Sequence, residues 1–397
     1  MVFKAFKLRL YPNKTQRDQI NVNFGCVRFV WNQMLNMHIE RYKNNKKAKY
    51  QNHFAMNSML KVMKLEYPWL KQAESTSLLM SNRDLDDAFQ RFFDPKLKNG
   101  FPKFKSKKNA NQSYTSRFVN NNIRVVDNHH IKLPKLGLVY FRAGRILNGK
   151  IKSVTISVNS RNQYEASVLV ESENQAFKKT NKFIGIDFGL KNLTITSDGQ
   201  KEDILKIDDK LNKQLKIWER KKSRRYENAK KAMAFDKHDK VLFPRTELTQ
   251  FPRYQQAKRT VAKIKKKIAN RRKDNLHKLT TKLVKNYDVI VVENLSVKNM
   301  MKNHHLSASI ANASWSTLVS QLKYKCEWYG KQLIIVDPKN TSRICYNCKQ
   351  KNNEFDTLTQ SEWLNTREWN CPNCHAHLDR DVNAAKNILV KGLATLV

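Results

Sequence analysis

Cys371-Pro372-Asn373-Cys374-His375-Ala376-His377-Leu378-Asp379-Arg380-Asp381-Val382-Asn383-Ala384-Ala385 joins the end of a cysteine array to the start of a helix. The whole array reads Cys345-x2-Cys348-x22-Cys371-x2-Cys374. Each CxxC pair sets two thiolates on one tight turn, and the intervening residues let the two turns face each other around a tetrahedral zinc ion. Asp381 then opens a helical pattern, with Ala384, Ala385, Ile388, Leu389 and Leu393 three, four, seven, eight and twelve residues further on. That spacing puts its carboxylate on the face that packs inward. Asp379 lies outside the register and reads as a cap or supporting group.

Two more acidic residues upstream end apolar strands. Asp187 closes Phe183-Ile184-Gly185-Ile186, and Gly189 after it permits a sharp turn. Glu293 closes Val289-Ile290-Val291-Val292; a helix over 315–330 and a strand over Gln332–Val336 follow. In a sheet of the ribonuclease-H type the first strand and the glutamate strand are neighbours, and the last helix brings its aspartate across them. Three hard oxygen ligands at one point suit Mg²⁺ or Mn²⁺. Two such ions roughly 4 Å apart activate a water and stabilise a leaving 3′ oxygen. The chemistry expected of Asp187, Glu293 and Asp381 is therefore phosphodiester hydrolysis leaving a 5′ phosphate.

The charge balance names the partner class. Lys and Arg total 76 against 34 acidic residues, a formal net charge of +42 in 397 residues, with a sequence pI near 10.0. Such a chain repels itself unless it meets a polyanion, and the charge is spread along its length, which favours nucleic acid over a membrane surface. No apolar run approaches the roughly 18 residues of a membrane span, and the N-terminus is unlike a signal peptide. Cys26 and Cys326 fall on apolar helical faces as packed thiols, and a reducing cytosolic compartment is expected.

Residues 3–10 alternate apolar and basic side chains as a strand does, and Asn13 with Gln16 can cap the helix that follows. Ile20, Phe24, Val27, Trp31, Leu35 and Ile39 mark one face of that helix, and helical patterns continue to about residue 93. Beyond Asp94, Lys96, Lys98, Lys103, Lys105, Lys107 and Lys108 are interleaved with Phe101, Pro102 and Phe104, a pattern suited to lying along a nucleic-acid backbone. Short alternating runs over 122–172, with strand 3–10, predict a β-barrel with a helical bundle inserted after its first strand. Strands are also predicted at Leu193–Thr196 and Asp203–Ile207. Basic helices are predicted over 208–232 and 253–283, the second carrying Lys267, Arg271 and Arg272, with a surface loop over 234–252 between them.

Four stretches carry a specific resemblance: Gly185-Ile186-Asp187-Phe188-Gly189-Leu190-Lys191-Asn192, Val291-Val292-Glu293-Asn294-Leu295, Thr341-Ser342-x2-Cys345-x2-Cys348 and Asp379-Arg380-Asp381-Val382-Asn383-Ala384-Ala385-x-Asn387-Ile388. In this order they resemble the successive signatures of the TnpB (OrfB) family of bacterial and archaeal insertion sequences, related to the type V CRISPR effectors. Supporting matches are Tyr11-Pro12, Phe101-Pro102-Lys103-Phe104-Lys105 and Asp274-x2-His277-Lys278-Leu279. The chain departs from the usual pattern in a longer 234–252 stretch and in Phe188 where Leu is more common.

The resemblance implies an RNA-guided DNA endonuclease that cuts double-stranded DNA beside a short motif. It implies Mg²⁺ or Mn²⁺ at Asp187, Glu293 and Asp381, structural Zn²⁺ at Cys345, Cys348, Cys371 and Cys374, and a noncoding guide RNA from the element's right end. A separate transposase moves the element, and the protein belongs in the prokaryotic cytosol beside the nucleoid. The expected fold is multidomain α+β. A wedge-like N-terminal β-barrel (1–14 and 106–180) holds a helical recognition domain (15–105). An RNase H-like (RuvC) α/β nuclease domain (181–340 and 375–397) holds a zinc ribbon (341–374). Lys103, Lys105, Lys267, Arg271 and Arg272 are the candidate nucleic-acid contacts. Three rival readings exist. A nuclease-inactive RNA-guided regulator would lack one of the acidic residues, and none is missing. A strand-joining transposase would carry a joining domain, and none is recognisable. A zinc-ribbon binding protein without catalysis leaves the acidic positions unexplained.

Overall fold

The alternation at the N-terminus forms β1 (Val2–Tyr11), whose Val2, Leu8 and Leu10 turn inward while Phe3 and Tyr11 stay exposed. This description comes from a computed structural model covering residues 1–97, 99–109, 112–144, 147–159, 161–204, 209–238, 247–303, 307–359, 362 and 366–396. The chain divides into two compact units, residues 1–173 and 174–397. Among the described residues no helix is long and apolar enough to cross a membrane.

In the first unit β1 leads into α1 (Lys14–Asn44), α2 (His53–Glu66) and α3 (Ser75–Phe93). The start of α1 is closed reciprocally: the Gln16 N–H donates to Asn13 Oδ1 at 2.8 Å, and the Asn13 N–H to Gln16 Oε1 at 3.0 Å. The helices are followed by β2 (Gln112–Arg117), β3 (Arg124–Val125), β4 (His130–Leu133), β5 (Gly137–Arg142), β6 (Lys150–Val158) and β7 (Tyr164–Ser172). With β1 they form one antiparallel sheet in the order β2-β6-β7-β1-β5-β4-β3.

That order corrects the expected barrel. Among the described residues no sheet closes; β2 and β3 are the two end strands. The helical bundle takes up β2's side. Glu74, the N-cap of α3, accepts from Ser116 Oγ at 3.0 Å, and the Arg117 N–H donates to Thr76 Oγ1 at 2.9 Å. At the opposite edge β3 has only two residues, too short to bridge the gap. Alternation reports which face of a strand is buried, not whether the last strand meets the first.

The second unit is built on a five-stranded sheet, order β10-β9-β8-β11-β12, from β8 (Phe183–Asp187), β9 (Asn192–Thr196), β10 (Lys201–Asp203), β11 (Val289–Glu293) and β12 (Gln332–Val336). Strands β8, β11 and β12 run parallel, and β9 and β10 are antiparallel additions. The third strand therefore starts earlier than expected, and residues 205–207 of its expected range lie outside the described residues. Between β10 and β11 run α4 (Asp209–His238) and α5 (Pro252–Asn286); residues 239–246 of the loop between them, like Lys98 in the first unit, lie outside as well. After β11 come the short α6 (Val297–Met300) and α7 (Ser307–Ala313), then α8 (Trp315–Tyr329).

One face of the sheet is covered by Leu279 and Leu283 of α5 and Leu318 and Leu322 of α8, packed on Ile184, Ile186, Ile290 and Val292. The other face takes the last helix, α9 (Arg380–Leu393), through Ile388 and Leu389 against Val289, Val291 and Val336. Two glycines let α9 lie close. A Cβ at Gly185 would meet the Ala385 carbonyl and stand 2.7 Å from the Leu389 nitrogen, and one at Gly392 would meet the Val291 side chain. Residues 174–181 belong with this unit: Phe177 stacks on Tyr329 at 4.1 Å, and the Thr180 and Asn181 N–H groups donate to Asp288. Between β12 and α9 lie the cysteine turns and the hairpin β13 (Glu368–Asn370) and β14 (His377–Asp379).

Candidate catalytic and metal centres

Asp187 and Glu293 sit at the carboxyl ends of β8 and β11, which are adjacent and parallel. That is where an open α/β sheet leaves room for a ligand, because the helices pack on its faces and the strand ends stay uncovered. Asp381 is the acidic residue in the first turn of α9, and α9 packs on β8 and β11.

Each carboxylate is held by its own donors. Asp187 accepts from the Phe188 N–H at 2.8 Å. Glu293 is buried and accepts from Thr341 Oγ1 at 2.5 Å. Asp381 Oδ1 accepts from Arg380 Nε at 3.1 Å and Nη2 at 3.0 Å, and its Oδ2 lies 3.4 Å from Arg367 Nη1. Asp379 is the N-cap of α9, accepting from the Asp381 and Val382 N–H groups at 3.0 and 2.9 Å and pairing with Lys201.

The electrostatics are those of buried carboxylates, with Arg380 opposing at Asp187 and Lys391 at Glu293. Burial, then the charges of Glu293 and Asp381, push the Asp187 carboxyl up to about 8. Burial also raises Glu293, with the Thr341 hydroxyl opposing. Two like charges raising a third is what a bound cation reverses. The chemistry of three carboxylate donors suits a hard divalent metal, although their oxygens do not all lie within 4.8 Å of one another as the cysteine sulfurs do.

The four cysteines form the one group among the described residues whose ligand atoms all lie within 4.8 Å of one another. The Sγ atoms of Cys345 and Cys374 are 3.7 Å apart, those of Cys348 and Cys371 3.6 Å. Tetrahedral zinc with sulfur at about 2.3 Å requires an S···S spacing of about 3.8 Å, so the array fits zinc. The two turns repeat one design. Lys349 and His375, each following the second cysteine of its pair, have φ of 63° and 55°, and their N–H groups donate to the Cys345 and Cys371 carbonyls at 2.9 Å. The backbone N–H of Gln350 lowers the Cys348 thiol, that of Ala376 lowers Cys374, and burial raises Cys345. Phe355 and Trp369 pack edge-to-face behind the sulfurs at 5.0 Å.

The basic candidates are exposed to different degrees and used differently. Lys103 and Lys105 lie on a loop fastened to α1: Trp31 Nε1 donates to the Lys103 carbonyl at 3.0 Å, and Asn32 exchanges two backbone bonds with Lys105 at 2.8 and 3.0 Å. The Lys105 ammonium lies 3.7 Å from the centre of the Trp31 ring. Lys267 and Arg271 are exposed on α5. The Arg272 guanidinium donates to the Ala311 carbonyl at 3.1 Å and Asn312 Oδ1 at 2.7 Å, so it ties α5 to the segment before α8. Sequence reasoning assigned no role to Arg380, Arg367 or Thr341. Arg380 sits beside Asp381 in the chain, but Thr341 meets Glu293 across 48 residues, a contact no local spacing signals.

Comparison with known proteins fits this arrangement. Three family models match: a "Helix-turn-helix domain" over residues 1–47, a "Probable transposase" model (OrfB_IS605) over 167–304 and a "Cas12f1-like, TNB domain" over 315–388. In this chain residues 1–47 hold one strand and one long helix. A "Putative RNA-guided DNA endonuclease" of Streptomyces pristinaespiralis is 32% identical over 402 residues, covering 99% of this chain and 90% of the relative. The "Putative RNA-guided DNA endonuclease InsQ" of Escherichia coli (strain K12) is 31% identical over 411 residues, covering 99% and 93%. The solved Cas12f1–sgRNA–target DNA complex aligns over 98% of this chain and 99% of the Cas12f1 chain at 14% identity with a TM-score of 0.35, a likeness too low to bear on mechanism.

Proposed function

Because the chain belongs to the TnpB (OrfB) family of RNA-guided DNA endonucleases, we propose that its chemistry runs at the carboxyl ends of β8 and β11. The protein is an RNA-guided DNA endonuclease encoded by a transposable element. Asp187, Glu293 and Asp381 act as the oxygen donors for Mg²⁺ or Mn²⁺ in a RuvC-like site. What supports this reading is that Asp187 and Glu293 end adjacent parallel strands and that α9, which has Asp381 in its first turn, packs on the same two strands.

When bound, such ions supply activation of a water and neutralisation of charge on the leaving 3′ oxygen. The remaining tasks fall to the chain. Arg380 fixes the rotamer of Asp381 through two bonds to one oxygen, and Arg367 approaches the other. Asp379 holds the first turn of α9 and keeps the Asp381 backbone in place. Glu293 is buried, which limits its contact with bulk water. Zinc at Cys345, Cys348, Cys371 and Cys374 is structural in this reading, since all four positions are protein thiols and no site is left for a reacting water.

The +42 charge serves the guide RNA, a noncoding transcript from the element's right end, and the double-stranded target. Lys103, Lys105, Lys267 and Arg271 are the proposed contacts; Arg272 contributes by orienting α5. Target choice is delegated to base pairing, and a separate transposase moves the element in the prokaryotic cytosol. The test is to purify the protein with its bound RNA, sequence that RNA, and assay matched targets with Mg²⁺. Cleavage of matched but not mismatched DNA is the expected result, and cleavage that ignores the RNA sequence overturns the guided reading.

A further inference from the structure

The short contact between Glu293 and Thr341 belongs to a longer set of bonds. Thr341 lies on the loop from β12 to Cys345, four residues before that first cysteine. Its hydroxyl carries one proton and has two acceptors in reach: Glu293 Oε1 at 2.5 Å and the Pro338 carbonyl at 3.1 Å. The nearer, charged acceptor takes it. The backbone of this loop is in turn clamped by α9. Asn387 Nδ2 donates to the Thr341 carbonyl at 2.9 Å and the Ile344 carbonyl at 2.7 Å, which uses both of its hydrogens. One turn earlier, Asn383 donates to the Ile344 carbonyl at 2.8 Å and accepts from the Tyr346 N–H, inside the first CxxC, at 2.8 Å. Both asparagines are buried.

The helix that begins with Asp381 thus grips the first cysteine turn, and the loop it grips holds Glu293. We propose that Thr341 is a positioning residue for Glu293, set in place by Asn387 and the first cysteine turn, so that the thiol array fixes the geometry of the carboxylate site. The inference rests on the reading of Glu293 as a donor to the divalent ion. A buried carboxylate keeps its orientation when one of its oxygens is anchored, and Thr341 supplies that anchor at Oε1. Substituting an outer partner of a metal ligand typically lowers metal affinity about 10- to 100-fold.

The experiment measures Mn²⁺ binding to the zinc-loaded full-length protein, by electron paramagnetic resonance of free Mn²⁺, for wild type, Thr341→Val, Thr341→Ser and Glu293→Gln. Zinc content is measured in parallel. Thr341→Val is expected to keep its zinc and bind Mn²⁺ about tenfold or more weakly, and its cleavage recovers at higher Mn²⁺. Thr341→Ser, which keeps the hydroxyl, is expected to return to within roughly threefold of wild type. Thr341→Ala replaces the valine variant if valine is not accommodated. Normal Mn²⁺ affinity in the hydroxyl-free variant, or a serine variant as weak as it, overturns the positioning role. Unchanged affinity in Glu293→Gln instead overturns the assignment of Glu293 as a ligand, and the inference with it.

Discussion

The cysteine array and the carboxylate cluster lie in the same unit of the chain but are assembled by opposite means. Four sulfurs lie within 4.8 Å of one another, on two turns that each bring their own backbone N–H donors. The three carboxylates come from two strand ends and a helix start, and each is tied to a separate donor: the Phe188 N–H, Thr341 or Arg380. Thiols ionise one at a time, with Cys348 and Cys374 lowered by backbone N–H groups and Cys345 raised by burial, so they gather closely without four charges at once. Buried carboxylates repel one another and must be held apart or protonated. The array therefore gathers its ligand atoms by local turns, whereas the carboxylates depend on the packing of β8, β11 and α9.

The difference can be attacked from the largest effect down. Asp187→Ala or Glu293→Ala should lower cleavage by at least about 10³-fold, the upper range for removing one charge-stabilising group, while RNA-dependent DNA binding stays near wild type. Filter binding beside a cleavage assay checks this; the separation of roles is falsified if binding falls in step. Cys348→Ser should reduce zinc content, destabilise the ribbon and loosen α9, with activity falling about 10- to 100-fold as the loop holding Glu293 loses its anchor. Unchanged zinc stoichiometry in that variant would remove the array from the comparison.

A pH experiment probes the cost of charging Asp187 where it is buried beside Glu293 and Asp381. The folded value of Asp187, near 8, lies above its unfolded value near 4, so protonation stabilises the metal-free protein. That contribution is whole below pH about 4 and is lost as pH rises through about 8. Asp187→Asn should therefore raise the melting temperature of the metal-free protein at pH 8 by about 5 °C and flatten its pH dependence. A variant no more stable than wild type at pH 8 would show that neither burial nor the neighbouring carboxylates penalise a charged Asp187. The smallest effect is expected from Asp379→Ala, which removes the α9 cap at a cost of about 1 kcal/mol in chemical denaturation.

The elements that carry the candidate site residues could be read from residue order. Strand-end and helix-start positions follow from periodicity, which is why Asp187, Glu293 and Asp381 stood out without any contact being known. The cysteine spacing carried its own geometry for the same reason: both turns are local. What failed was closure. The alternating runs of the first unit predicted a barrel, and the sheet remained open because α3 engages β2 through Glu74 and Thr76 while β3 stops after two residues.

The sequence alone therefore determined the local chemistry: four thiols on two turns spaced for a soft metal, three acidic residues placed at strand ends and a helix start, and a net charge of +42. Only the tertiary structure decided how those parts constrain one another. It turned Arg272 toward Asn312, set Arg380 on Asp381, and brought Thr341 to Glu293 across 48 residues. The physical reason is range. Periodicity and turn spacing act over a few residues of chain, whereas a hydrogen bond between distant segments depends on how helices and sheet pack, which no local pattern encodes.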